Sequence, residues 1–78
     1  MKEIYLVFAE WCHSENIWIA SSNDITGLVA EADSIEALST KLQSLVPELL
    51  LLNNQTTTEQ IAIEIVARRS LKTQSLET

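Results

Sequence analysis

Residues 33–52 read DSIEALSTKLQSLVPELLLL, a segment with helical spacing in a chain whose other apolar runs are short and strand-like. Asp33 is a good N-cap residue, and Glu36 three positions later completes an Asp-x-x-Glu variant of the capping box. The apolar stripe that follows is Ile35, Leu38, Leu42, Leu45, Val46 and Leu49, with Lys41, Gln43 and Ser44 turned away from it. Pro47 removes the amide that would bond the Gln43 carbonyl. The spacing therefore predicts a helix with a kink near Val46, a last turn through Leu49 to Leu52, and a stop at Asn53 and Asn54. Gln55 to Thr58 reads as a polar linker.

Upstream of the helix lie three candidate strands. Ile4 to Ala9 is apolar in both alternating sets: Ile4, Leu6 and Phe8 on one side, Tyr5, Val7 and Ala9 on the other. Such a strand is covered on both sides and central in its sheet. Cys12 to Asn16 has the length and polarity of a hairpin loop. Ile17 to Ser21 forms the second strand, and Leu28 to Ala32 a short third. Between them, Ser22 to Gly27 is rich in turn residues. Gly27 is the only glycine, so it belongs where φ must be positive or the backbone must approach closely. Downstream, Gln60 to Arg69 reads as a last strand, with Ile61, Ile63, Ile65 and Ala67 on one face and Gln60, Ala62, Glu64, Val66 and Arg68 on the other. The order is β-β-β-α-β, an α+β fold. Its short connections pair the first three strands antiparallel, and the helix leads to the fourth. Residues 1–69 form one domain, and 70–78 a loose tail.

One helix covers one sheet face. The first strand is apolar on both, and Trp18 and Val66 add more apolar surface. Monomers rarely expose a large apolar patch, so the sequence predicts a homo-oligomer, a dimer or tetramer, joined through the uncovered face or an edge. Tyr5, Val7, Trp18 and Val66 are its candidate interface residues.

The chain has 78 residues and a formal net charge of −6. So short a domain buries only about 60% of the surface its unfolded chain exposes, and gains much from a partner. The acidic balance argues against a phosphate-tracking surface and suits a basic protein partner. Arg68, Arg69 and Lys72 are the only basic cluster. Cys12 is the sole cysteine, which excludes an internal disulfide. A free thiol with no export signal points to the cytoplasm. No apolar run approaches the roughly 20 residues of a membrane span.

No constellation of catalytic residues stands out. Cys12-His13 is the only soft-ligand pair, and a zinc site needs three or four ligands. Glu10, Glu36 and Glu64 sit on a strand, a helix and a strand, the element pattern of two-metal nucleases, but such chemistry requires them to converge. A single glycine rules out a glycine-rich phosphate loop, and no serine sits in a nucleophile elbow. Trp11, Trp18 and Tyr5 lack the basic neighbours of a base-stacking platform. The reading is of a binding module without enzyme activity, cofactor or metal.

The run from Trp18 to Ser34, WIASSNDITGLVAEADS, resembles the signature of HicB-like antitoxins: Trp-x-Ala-x-Ser, a turn of the form Asp-x-Pro-Gly, an apolar pair, and an acidic Ala-Asp lead into a helix. The helix ending Pro47-Glu48-Leu49-Leu50 is similar to a subgroup of single-domain proteins of unknown function in that superfamily. The likeness runs to Arg69. It implies a partial RNase H-like β-β-β-α-β fold that binds and silences a small basic toxin ribonuclease of the HicA type. Asn23, Asp24, Glu31, Asp33 and Glu36 are then the candidate partner-binding residues. Their plainer reading is turn and cap formation. Thr26 replaces the usual proline of the turn. Many such antitoxins add a C-terminal DNA-binding domain, and nothing after Arg69 suits one, so DNA binding is not expected. The alternatives are an orphan oligomeric domain without a toxin and, more remotely, a divalent-metal nuclease.

Overall fold

The computed structural model describes residues 4–55 and 61–76. Its elements are β1 Ile4–Cys12, β2 Ile17–Ser21, β3 Val29–Ala32, α1 Ile35–Leu52 and β4 Ala62–Arg68. The strands form one mixed sheet in the order β3-β2-β1-β4. β1 pairs antiparallel with β2, and β2 with β3, while β4 lies parallel to β1. The expected α+β architecture and element order are present. β1 runs three residues past Ala9, because Trp11 pairs with Trp18 and Cys12 with Ile17. Residues 56–58 of the expected linker and Gln60 at the expected start of β4 lie outside the described residues, as do Glu77 and Thr78 of the expected tail. From Ser70 to Leu76 the chain has no regular structure and is exposed.

Register assigns every strand residue to a face, since laterally paired residues share one. Tyr5, Val7, Ala9 and Trp11 of β1 share a face with Trp18 and Ala20 of β2, Ala30 and Ala32 of β3, and Ile63, Ile65 and Ala67 of β4. This is the face that α1 covers. The opposite face carries Ile4, Leu6, Phe8 and Glu10, then Ile17, Ile19 and Ser21, Val29 and Glu31, and Ala62, Glu64, Val66 and Arg68.

α1 buries Leu38, Leu42, Val46 and Leu50, a strict i, i+4 row, against Val7, Ala9, Ala20, Ala30 and Ala32. Small residues on β2 and β3 let the helix lie close over those two strands. Leu45 and Leu49, placed in the stripe by the sequence, are only half-buried, and Leu50 takes the deep position. α1 runs as one helix of 18 residues through Pro47 and includes the expected last turn to Leu52. Pro47 is on the exposed side. The anchored side chains of Val46 and Leu50 hold the helix together across the one missing hydrogen bond.

The helix ends also differ from expectation in one respect. Ser34, not Asp33, is the N-cap: its backbone is extended, and its hydroxyl accepts from the Ala37 amide at 3.0 Å. Ser and Asp cap about equally well, and here the chain turns helical one residue later. Glu36 then sits in the first turn, where a carboxylate complements the positive end of the helix. At the other end, Asn54 adopts φ of 60°, the Asn54 amide bonds the Leu51 carbonyl, and the Gln55 amide bonds that of Leu50. That is a Schellman closure with asparagine in the left-handed position, as the Asn53-Asn54 pair suggested.

Candidate functional site

The segment that carries the family resemblance builds a compact corner. β2 stops at Ser21, opposite Phe8, and side chains of the next loop take over the pairing of β1. The Leu6 amide donates to Asp24 Oδ2 at 2.8 Å, and the Ser22 hydroxyl donates to the Leu6 carbonyl. Ser22 Oγ in turn accepts from the amides of Asp24 and Ile25, at 3.0 and 3.2 Å. Ile25 and Leu28 point inward and are buried in the core, although their turn-rich surroundings mark the segment as a surface loop. Gly27 has φ of +82°, in the left-handed region, and a Cβ there would meet only Leu49 Cδ2 at 4.0 Å. Conformation, not crowding, therefore selects glycine. The Asn53 side-chain amide donates to the Thr26 carbonyl at 3.0 Å and ties this turn to the end of α1.

The five candidate partner-binding residues do not form one patch. Asn23 is exposed on the loop and Asp24 is half-buried with its carboxylate on the β1 backbone. Glu31, Asp33 and Glu36 are exposed at the other end of β3. Thr26 to Leu28 and the first two residues of β3, Val29 and Ala30, lie between the two groups. The backbone of the second group is braced by Lys41, whose ammonium donates to the Glu31 carbonyl. Structural work thus accounts for Asp24, while Asn23, Glu31, Asp33 and Glu36 present side chains to solvent.

At the β1–β2 hairpin the aromatic residues gather. Trp11 meets Trp18 edge-on, with centroids 5.4 Å apart, and His13 at 6.4 Å. The Arg69 guanidinium lies over the Trp11 ring, 4.1 Å from its centroid. His13 Nε2–H donates to the Ser70 carbonyl at 3.2 Å. These contacts clamp the end of β4 to the hairpin. Trp11 Nε1–H is buried without a partner among the described residues. Cys12 Sγ lies 3.3 Å from Ser14 Oγ. Asn16 closes the hairpin in the left-handed region, its amide bonding the Cys12 carbonyl at 2.8 Å.

Two groupings read from the sequence come apart in space. Glu10 and Glu64 project from the open face, whereas Glu36 rides on the helix that covers the other. The three carboxylates do not converge, and the described residues contain no cluster of three metal-ligating side chains. The proposed interface residues also divide. Val7 is fully buried beneath α1, and Tyr5 and Trp18 pack against the same core, so Val7 offers no surface to another subunit. Only Val66 lies on the uncovered face. Both alternating sets of β1 are apolar, so composition alone does not say which of them α1 covers. No helix among the described residues is long and apolar enough to cross a membrane.

Comparison with known proteins adds family and fold. The family model described as "Domain of unknown function (DUF1902)" matches residues 4–75. A crystal structure of a hypothetical protein from the extremely thermophilic bacterium Thermus thermophilus is similar, with 34% sequence identity and a TM-score of 0.77. The match covers 90% of this chain and 99% of that one. Among curated proteins, none matches.

Proposed function

The chain belongs to this family of domains of unknown function, and from that premise we propose that it is an antitoxin-like binding module of the HicB-like type, directed at a small basic toxin ribonuclease. The observation that carries this reading is the construction of the Ser22–Gly27 corner. The residues of the antitoxin-like signature are those that hold this corner to β1 and lead into α1. The net charge of −6 adds long-range attraction for a basic partner. Asn23, Glu31, Asp33 and Glu36 are the exposed polar groups that such a partner would meet.

The module acts by occupying a surface of the toxin, so its own chemistry is recognition alone. A partner seated across β3 would span both exposed groups, at the loop and at the helix start. The orphan-domain alternative rests on the engagement of Asp24 with the β1 backbone, which leaves fewer side chains committed to a partner. A nuclease reading finds no support in the placement of Glu10, Glu36 and Glu64.

The test is co-expression with any small basic protein that proves to be encoded beside this chain. Growth arrest by that protein alone, rescued by the chain and lost on Asn23→Ala with Glu31→Lys, is the expected result. No arrest, or no co-purification, favours the orphan domain.

A further inference from the structure

One end of the sheet gathers most of the basic residues of an acidic chain. Of its five lysines and arginines, three lie there: Arg68, Arg69 and Lys72. Arg68 is the register partner of Glu10 and belongs to the open face. The same register carried one residue further sets Arg69 beside Trp11, in a row with Trp18 and Ala32 of the covered face. There the Arg69 guanidinium lies 4.1 Å from the centroid of the Trp11 ring. We propose that Arg69, seated on Trp11, is a binding site for a single carboxylate. This site is separate from the acidic groups of the antitoxin reading, and neither requires the other.

The corner holds donors that no acceptor meets. A guanidinium carries its N–H groups in a planar fork, and contact with a ring face gives none of them a lone pair. Among the described residues the Arg69 side chain makes no ion pair and no hydrogen bond. Trp11 Nε1–H, on the ring that Arg69 covers, is also buried without a partner among them. A buried donor without an acceptor is rare in folded proteins and calls for an explanation. The Ser70 carbonyl, next in the chain, already accepts from His13 Nε2–H at 3.2 Å. That bond anchors the backbone directly after Arg69. The exposed guanidinium is thus held from both sides, by the Trp11 ring and by the hairpin, before any ligand arrives.

The number and placing of the cations select the ligand. A phosphate backbone is tracked by a row of lysines and arginines, and a net charge of −6 repels it. Here Arg68 belongs to the other face, which leaves a single guanidinium beside the rings. A single guanidinium matches a single carboxylate, fork to fork, through a bidentate pair of charge-assisted hydrogen bonds. The half-buried Trp11 and Trp18 rings, edge-on with centroids 5.4 Å apart, border that position. They keep water from one side of it, which strengthens such a bond. They also suit an acid that carries an apolar group.

Titration of the full chain, followed by the nuclear magnetic resonance signals of Trp11 Nε1–H and Arg69 Nε–H, tests this. The probes are sodium acetate, the capped peptide acetyl-Leu-Glu-Leu-amide, its glutamine counterpart and inorganic phosphate. The glutamate peptide is expected to shift both signals saturably, with half-saturation below about 5 mM, and the glutamine peptide to leave them in place. Arg69→Gln should abolish the response. Arg69→Lys keeps the charge but loses the fork, and should weaken binding at least about 10-fold. Arg68→Gln removes the same charge from the opposite face and should change binding by less than about twofold. The spread of amide signals in each variant checks that the fold persists. A glutamate peptide that binds at least about tenfold tighter than acetate assigns the carboxylate to a protein segment, and a smaller ratio assigns it to a free organic acid; either upholds the site. The absence of a saturable shift with acetate and with the glutamate peptide overturns the proposal. So does equal binding of the glutamine peptide, tighter binding of phosphate than of acetate, or a response that Arg69→Gln leaves intact or that Arg68→Gln weakens as much.

Discussion

The two faces of the sheet are built from similar residues and have different fates. On the covered face, Val7, Ala9, Ala20, Ala30 and Ala32 are buried because α1 brings Leu38, Leu42, Val46 and Leu50 down on them. On the open face, Ile4, Leu6, Phe8 and Val66 are no less apolar, yet no segment of the described chain reaches them. Side-chain hydrophobicity thus does not decide which face of β1 becomes core. The crossover from β3 to β4 decides it, because the helix lies on whichever side that connection passes. β3 and β4 both run parallel to β1 and flank the pair of central strands, so the connection is of the kind whose handedness is strongly restricted. The covered face is specified within one chain, and the open face by whatever meets it.

The largest effect that separates the faces is expected in the middle of the buried row. Leu42→Ala should cost about 3 kcal/mol in urea unfolding, since the helix cannot collapse into the space left. Phe8→Ala should cost less than about 1 kcal/mol once unfolding is measured on dissociated chains. Equal losses at both sites would show that the open face is covered from within the chain. Next in size, Gly27→Ala should destabilise by about 1–2 kcal/mol through its left-handed φ, even though the space around it is ample. No loss would mean that the turn between β2 and β3 relaxes without moving α1. Ser34→Ala should cost about 1 kcal/mol and Asp33→Ala less than about 0.5 kcal/mol in the same assay. The reverse order would restore Asp33 as the cap. The smallest effect belongs to the hairpin clamp. Arg69→Ala should remove about 0.5–1 kcal/mol of cation–π stabilisation and hasten amide exchange at the end of β4. Unchanged exchange there would leave the clamp without an energetic role.

Much of this architecture is legible in the residues. The helical spacing of Leu38, Leu42 and Val46, the Asn53-Asn54 stop and the alternation of β4 follow from spacing alone, and the element order follows from them. Other features are not local properties. Ile25 sits among turn residues and reads as surface, yet the hydrogen bonds of Ser22 fold the loop so that Ile25 faces the core. Asp33 and Ser34 are adjacent and almost equal as caps, so the choice depends on where β3 releases the chain. The interface residues required knowing which face α1 takes. The partner-binding candidates lie in one continuous motif, and the strand within it carries them toward opposite ends of β3. One signal was available for the open face: Ile4, Leu6, Phe8 and Val66 stay apolar on a face that also carries Glu10, Glu31, Glu64 and Arg68.

The most direct test of this contrast is the dependence of the wild-type unfolding midpoint on protein concentration. If a second copy completes the fold by covering the open face, the midpoint rises with concentration, by up to about 1.4 kcal/mol of apparent stability for each tenfold increase. A midpoint that stays constant over about two decades of concentration, up to about 100 µM, would contradict the account.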